Sequence, residues 1–399
     1  MYRRMGKNTH LKSVEWLCSQ FGAREFYSIP RALSQVEVPA MLITDLWCNP
    51  NKLPWKYLSN SRSRFHSKIG SDQIKHFNSQ VLMNKLMGKS YSDQAFSRQV
   101  ADFLEKHIKN FQELSHIFSY SYTSYPLFEK ARALGLKTVL GQINPGPLEA
   151  EIVVEAFRNE FGLKYKPNVP DISYWELWQQ ECNLSDSIVV NSKWSKELLI
   201  KAGIEEHKIK IIPLAFEKED NISFKRSSKR KFEHSDPLKL LYLGAISVRK
   251  GFPILKRAME RMKNLPVKLI LIGGVNGPSE LIDHLPENIE YLGRVSPTDI
   301  DKHYKQSDLF ILPTLSDGFA RTLLEAQYWK LPVITTPQCG EVIEHMKNGI
   351  LLDQVSEEKI IDTISLILDN SDLLPRFSEN SNDLSDFTLE KIGRQLIAL

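Results

Sequence analysis

The chain is expected to fold as an α/β protein of two Rossmann-like βαβ domains, and three observations carry that expectation. In the stretch Leu309 to Thr336, an apolar run (Leu309 to Leu312) is followed by a polar turn, then a 3.6-period pattern from Phe319 to Trp329, then a second apolar run opening at Val333. Strand, helix and strand in that order make a βαβ unit. Short apolar runs alternate with helical patterns along most of the remaining chain. Finally, residues 217–237 are polar and charged, with Lys225, Arg226, Lys229, Arg230 and Lys231 close together, which fits a linker between two domains. The boundaries are a first domain at 1–216, the linker at 217–237, a second domain at 238–378 and a terminal helix at 379–399.

Bulk properties agree with two cores. At 399 residues, 42% hydrophobic and 25% charged, the chain has the composition of a globular protein. The four cysteines, Cys18, Cys48, Cys182 and Cys339, are far apart without a CxxC pair, so neither a zinc site nor a disulfide framework is indicated. No apolar run has the roughly 18–20 residues needed to span a membrane, and no charged-then-apolar leader opens the chain, so a cytoplasmic protein is expected. The net charge of +4 is uneven, with 15 Lys+Arg against 6 Asp+Glu in residues 1–100. A basic amino-terminal part suits peripheral contact with an anionic membrane face or a phosphorylated acceptor; a solvated basic surface fits equally well.

Val14 to Cys18 is the first expected strand and Gly22 the turn after it, followed by a helical segment from Ala23 disturbed by Pro30. Ala40 to Thr44 is a second strand. Residues 48–77 are irregular, with Lys52, Lys56, Arg62, Arg64, His66 and Lys68 interleaved with Trp55, Tyr57 and Phe65. No amphipathic register emerges there, which favours an ordered loop, and acceptor binding stays open for it. Helices are expected at 78–88 and 92–112, then strand Ile117 to Tyr120, helix Pro126 to Leu134 and strand Lys137 to Leu140. Helices at 148–160 and 171–184, a strand at 186–192, a helix at 194–202 stopped by Gly203 and a strand from Lys210 complete the first domain.

The second domain opens with strand Leu238 to Gly244, the turn Ala245 to Gly251 and a helix ending near Leu265. Strands follow at 267–272, ending in Gly273-Gly274, and at 289–295, then helix 297–306 and the βαβ unit. A helix beginning at Gly340-Glu341, a turn at Asn348-Gly349, strand Ile350 to Asp353, helix Glu357 to Leu368 and a last helix at about 388–398 are expected beyond it. In the βαβ unit the helix start at Gly318-Phe319 presents unpaired N–H groups and a positive dipole end, suited to an anion. Asp317 and Glu325 flank it in an acid-x7-acid arrangement. Alone, Asp317 fits a helix cap and Glu325 a solvated helix-surface acid.

Taken together, the segment Asp317-Gly318-Phe319-Ala320 with Leu323-Leu324-Glu325-Ala326 resembles the donor-site signature of retaining glycosyltransferases of family 4, which have the GT-B fold. Asp317 stands where that family usually has Glu, and Ala320 where it has Gly. Ser185 to Ser192 with the following helix and Lys208 to Leu214 resembles the end of that family's first domain. Leu238 to Gly251 resembles its strand-Gly-Arg-x-x-x-x-Lys-Gly loop: Lys250 matches, Ala245 occupies the Arg place, and Arg249 is positioned to supply the second charge. Gln142 stands where many members have His. The resemblance is nearly continuous from about 186 to 370 and implies a terminal helix crossing back to the first domain.

What the resemblance implies is a metal-independent, cofactor-free hexosyltransferase acting on a nucleotide-diphosphate sugar, UDP- or GDP-linked, with retention at the anomeric carbon. The acceptor is saccharide, lipid-linked or small, in polysaccharide, glycolipid or glycoconjugate synthesis. Asp317, Lys250 and Glu325 are the expected catalytic residues. Donor binding is expected from Gly22, Gly244, Arg249, Lys250, Gly273, Gly293, Arg294, Asp317, Gly318, Phe319, Ala320, Thr322, Leu323 and Glu325. Lys250 and Arg249 offset diphosphate charge, N–H groups around Ala320 to Leu323 add donors, Glu325 accepts ribose hydroxyls and Asp317 accepts sugar hydroxyls. No Asp-x-Asp stands at a strand end, so fixed cations replace a metal. Two rivals stay in view: a sugar-nucleotide binder with impaired catalysis, given Gln142, Ala245 and Asp317, and a dinucleotide dehydrogenase, which lacks the G-x-G-x-x-G turn. Nucleic acid is not an expected partner, because the charged run has no interleaved aromatics.

Overall fold

A computed structural model describes residues 13–50, 64–88, 90–218, 224–227 and 231–399. Its first domain is built on a seven-stranded sheet of order β3-β2-β1-β4-β5-β6-β7. The strands are β1 (Trp16–Gln20), β2 (Ala40–Thr44), β3 (Ile74–His76), β4 (His116–Tyr120), β5 (Lys137–Gly141), β6 (Ser187–Val190) and β7 (Ile209–Ile211), all paired in parallel. Helices α1 (Ser28–Gln35), α2 (Asn78–Leu86), α3 (Asp93–His107), α4 (Tyr125–Ala133), α5 (Pro147–Phe161), α6 (Ile172–Leu184) and α7 (Lys193–Lys201) connect them. Covered on both faces, the central strands are continuous buried runs rather than alternating ones: every residue of β1 and of β6 is buried.

The second domain has a six-stranded parallel sheet of order β10-β9-β8-β11-β12-β13. Its strands are β8 (Leu238–Leu243), β9 (Val267–Ile272), β10 (Ile289–Gly293), β11 (Leu309–Leu312), β12 (Val333–Thr335) and β13 (Gly349–Leu351). Helices α8 (Phe252–Arg261), α9 (Pro297–Gln306), α10 (Arg321–Tyr328), α11 (Glu357–Asp369) and α12 (Leu373–Glu379) follow, and α13 (Leu389–Leu396) ends the chain. The apolar face of α13 (Leu389, Ile392, Leu396) shares a cluster with Trp16, Ile29 and Leu33 of the first domain. Gly393 lets this helix lie against α1, where a Cβ would collide with the Ala32 carbonyl. Both sheets reverse their winding direction once, between β1 and β4 and between β8 and β11. Such a switch point opens a crevice at the carboxyl ends of the two strands.

Several expected elements differ in the structure. The helix expected from Gly340 does not form: Gly340 sits at φ +103° against the Phe319 ring, and the Asn348 side chain holds the Glu344 amide and the Val342 carbonyl in an irregular turn. The segment after Gly22 starts not with a helix but with three left-handed residues, Glu25, Phe26 and Tyr27, and α1 begins at Ser28 with Pro30 in its first turn, where the missing N–H is harmless. The short strand β3 and the helix α12 were not foreseen, being too brief to show a period. Residues expected in the linker pack on the second domain: Phe232 is buried in its core, and Arg226 donates to the carbonyls of Tyr304 (2.7 Å), Ser307 (2.5 Å) and Trp329 (2.9 Å). Lys229 and Arg230, and Lys52, Trp55, Lys56, Tyr57 and Arg62 of the basic aromatic stretch, lie outside the described residues. All four cysteines are buried free thiols. Among the described residues no helix is long and apolar enough to cross a membrane.

Candidate active site at the switch point of the second domain

The loops that leave β8 and β11 are stitched together before any ligand is considered. Gly251 caps α8 at φ +70°, a conformation open to glycine, and a Cβ there would run into the Pro313 carbonyl oxygen. The Leu315 amide donates to the Arg249 carbonyl at 2.9 Å, and the Thr314 hydroxyl reaches the same oxygen at 3.2 Å. These constraints bring residues 67 and more positions apart into one charge cluster. Lys250 Nζ is paired with Asp317 Oδ2, and Arg249 Nη1 donates to Asp317 Oδ1 at 3.2 Å and to the Ser316 carbonyl at 3.0 Å.

Asp317 is therefore not a helix cap. The N-cap of α10 is Ala320, with no side-chain cap, and the helix starts at Arg321 rather than at Gly318-Phe319. Burial pushes the Asp317 carboxyl up, but the charges and hydrogen bonds of Lys250 and Arg249 outweigh it, so it is held below the ordinary carboxylate range. For Arg249 burial favours the neutral form, and Asp317 with Glu149 more than offsets that.

Glu149, in the first turn of α5, comes to this cluster from the first domain. Its Oε1 accepts from the Ser316 hydroxyl at 2.9 Å and lies 3.5 Å from Arg249 Nη1. Burial pushes its carboxyl up. Trp194 Nε1 donates to the same Ser316 hydroxyl at 2.9 Å, and the Lys193 amide donates to the Glu341 carboxylate at 3.1 Å. The Asp317 loop, through Ser316, and the loop carrying Glu341 are thus both clasped to the first domain. Sequence reading passed over Glu149 and Ser316, since an acid in a helix's first turn ordinarily complements the dipole and nothing local marks it otherwise.

Glu325 lies on α10 in a different set of contacts. Tyr304 donates to its Oε2 at 2.9 Å and Arg321 approaches Oε1 at 3.7 Å, while burial pushes its carboxyl up. Among the described residues no hydrogen bond or ion pair joins it to Lys250 or Asp317. Arg321 in turn lies over the ring of Phe26, in the left-handed loop after β1.

Gly244, Gly273 and Gly293 sit side by side at the carboxyl ends of β8, β9 and β10. A Cβ on Gly273 would collide with the Gly244 carbonyl, and the Gly273 amide donates to the Gly293 carbonyl at 2.8 Å. Arg294 is exposed beside Gly274, in the space a Cβ there would need. Gly22, at φ +83°, has committed its amide to Asp45 at 2.8 Å. Of the helix-start amides, that of Ala320 donates to the Cys339 carbonyl and that of Leu323 to the Ala320 carbonyl, both at 2.9 Å, which corrects the expectation that this whole stretch presents donors. The side chains of Phe319, Ala320 and Leu323 belong to the core, whereas Thr322 is half-buried. Gly318 faces the first domain near the Ile143 carbonyl. Gln142, where the resemblance has His, is a buried structural amide: Oε1 accepts from Trp178 Nε1 at 3.0 Å and Nε2 donates to the Asn144 carbonyl at 2.8 Å.

Residues 223–383, which include every one of these switch-point loops, match the family model described as glycosyl transferases group 1. That match covers the second domain. An uncharacterized glycosyltransferase of Haemophilus influenzae is 25% identical over 173 residues, 41% of this chain and 49% of that protein. The match thus spans about half the length of this curated relative. Among solved structures, Anabaena HepE in complex with UDP-glucose superposes with a TM-score of 0.60 at 16% identity, over 96% of this chain and 98% of that one. A glycosyltransferase from Rickettsia africae gives 0.60 at 16% identity over 97% of both chains. Those likenesses are in fold: the two parallel sheets form the GT-B architecture expected from the sequence.

A cavity of ≈ 480 Å³ adjoins the cluster between the domains, lined by Asn144, Glu149, Tyr165, Trp175, Arg249 and Asn276 among others. Among the described residues no group of three or more His, Cys, Asp or Glu is arranged to hold a metal ion.

Proposed function

We propose that this protein moves a hexosyl group from a nucleoside-diphosphate sugar to an acceptor hydroxyl with retention at the anomeric carbon. The observation that carries the reading is the convergence of Lys250, Arg249 and Asp317 at the switch point of a group 1 glycosyl transferase domain, facing a second Rossmann-like domain. Two fixed cations oppose the diphosphate, so charge develops on the leaving group against a preorganised positive site and no metal is required. Asp317, at the mouth of the same loops, accepts sugar hydroxyls, and Glu325, in α10 one turn beyond its start at Arg321, accepts those of the ribose. The new bond joins the acceptor oxygen to the anomeric carbon on the face from which the phosphate departs. The leaving phosphate oxygen takes the acceptor's proton, which is consistent with a site lacking a nucleophile paired with a base.

UDP is the first nucleotide to try, since a fold neighbour was solved with UDP-glucose. Incubation with UDP- and GDP-hexoses, with the product anomer assigned by NMR, tests the reading; an inverted product would reject the mechanism, and EDTA is expected to leave turnover unchanged. The internal bonding of Gln142 favours one alternative, a sugar-nucleotide binder without transfer activity, and turnover above blank would discard it. Work at the cytoplasmic face of a membrane, in polysaccharide or glycolipid synthesis, is part of the proposal. It is supported by α2, which buries none of its residues and exposes Leu82, Met83 and Leu86 with Met87 beyond it in the basic amino-terminal part. Co-sedimentation with anionic vesicles is expected, and its absence would remove this part.

A further inference from the structure

Glu149 is a carboxylate shared between two compartments. Both of its contacts from the donor side fall on Oε1, from the Ser316 hydroxyl and from Arg249, and Oε2 takes no hydrogen bond among the described residues. The residue also lines the ≈ 480 Å³ cavity, which is within the size range of small-molecule sites, about 300–1,000 Å³. Trp175 is half-buried in that wall, and its orientation is set by edge contacts to Tyr174 (ring centroids 5.2 Å apart) and Trp178 (6.0 Å). Asn276 lines the opposite wall, from the loop after β9. An indole, a carboxylate oxygen and a carboxamide around one hollow match a polyhydroxylated ring, whose C–H face stacks on the indole while its hydroxyls reach the polar groups. In the transfer reading Arg249 is committed to the donor diphosphate, and the other cation lining the cavity, Lys166, is exposed, so neither is held for a phosphorylated acceptor.

We propose that this cavity is the acceptor subsite, that it takes a neutral saccharide stacked on Trp175, and that Glu149 Oε2 accepts a hydrogen bond from the hydroxyl to be glycosylated. The proposal rests on the transfer reading above and adds the acceptor class and its holding residue. In the step, the held oxygen bonds to the anomeric carbon, the bond from that carbon to the diphosphate breaks, and the proton passes to the departing phosphate oxygen. Glu149 orients the hydroxyl and keeps no proton. Its tie to Ser316 places that hydroxyl next to the loop carrying Asp317.

The test is saturation-transfer NMR of the full chain with methyl α- and β-hexopyranosides of glucose, galactose and mannose, in the presence and absence of UDP. At least one glycoside is expected to bind, with its affinity reduced tenfold or more in Glu149→Gln and in Trp175→Ala, while UDP affinity, measured by calorimetry, is not weakened in either. Absence of binding by all six glycosides, or equal binding to the variants, overturns the proposal. Weakening of UDP and glycoside together in both variants also overturns it, because Glu149 then serves only as a clasp between domains. Trp175→Ala, which leaves the clasp intact, decides the matter if Glu149→Gln does not fold. Failure of UDP and GDP to bind the unmodified chain would instead sink the donor reading, and the glycoside comparison would still decide the cavity.

Discussion

Replacing Asp317 by Asn removes one negative charge from a site holding two cations. Lys250 and Asp317 keep only 11% and 16% of their side-chain surface, and Arg249 keeps 31%. A buried pair deprived of one partner loses about 3–5 kcal/mol, and because Glu149 still faces Arg249 the lower end applies, about 3 kcal/mol. At roughly 2–4 °C per kcal/mol for a domain of this size, melting should fall by about 6–12 °C. UDP should act the opposite way. With the Asp317 carboxylate neutralised, Lys250 loses its competing anion and Arg249 keeps only Glu149, so the UDP Kd should tighten by about tenfold, or about 1.4 kcal/mol. Transfer from a UDP-hexose should nevertheless drop by about 100-fold or more, as when a preorganised transition-state contact is removed. Scanning calorimetry with and without UDP, titration calorimetry and a turnover assay read the three effects. Unchanged melting together with unchanged or weaker UDP binding would refute the idea that Asp317 stands in for the phosphate charge in the unliganded protein.

Other expectations follow from the same geometry. Glu325→Ala should abolish the thermal stabilisation given by UDP, about 2.7 kcal/mol at 100 times Kd in the unmodified protein, so a full shift in that variant would remove Glu325 from the ribose site. Gly251→Ala forces a Cβ toward the Pro313 carbonyl from a left-handed backbone and should cost about 2–5 kcal/mol in denaturant unfolding; a loss below 1 kcal/mol would show that the two loops are not locked. Arg226→Ala uncovers three carbonyl acceptors and should destabilise the second domain by about 2–4 kcal/mol, and an effect within 0.5 kcal/mol would return this segment to the status of a solvated linker. Because the Asp317 carboxyl is held below the usual range, its contribution to stability is complete above the unfolded value near 3.9 and is lost as pH falls through the lower folded value. The melting difference between the unmodified protein and Asp317→Asn should therefore persist down to about pH 4, and its disappearance by pH 5–6 would contradict the clasp.

The α/β layering was legible because buried parallel strands must be apolar throughout and their crossover helices must carry a 3.6-residue stripe, as β11 and α10 do. Legibility failed where local patterns were short or where a distant partner decided the backbone. The turn at Gly340 is held by Asn348 and by the Phe319 ring, and three left-handed residues precede α1, and neither arrangement leaves a periodic trace. Gly22 offers a flexible turn in sequence, yet its amide is bound to Asp45, which Arg64 in turn holds at 2.9 Å.

The sequence by itself determined most of the strands and helices and their order, the glycines at the strand ends and the presence of Lys250, Asp317 and Glu325 at meaningful offsets. Only the tertiary structure decided which of them meet. Lys250 and Asp317 touch because β8 and β11 are neighbours in the sheet, whereas Glu325 turns to Tyr304. Glu149 arrives from another domain through the docking of α5 beside Ser316. Periodicity and spacing record what a residue needs from its own helix or strand. The pairing of charges across a crevice depends on how separate elements pack, and that is written in no local stretch of the chain.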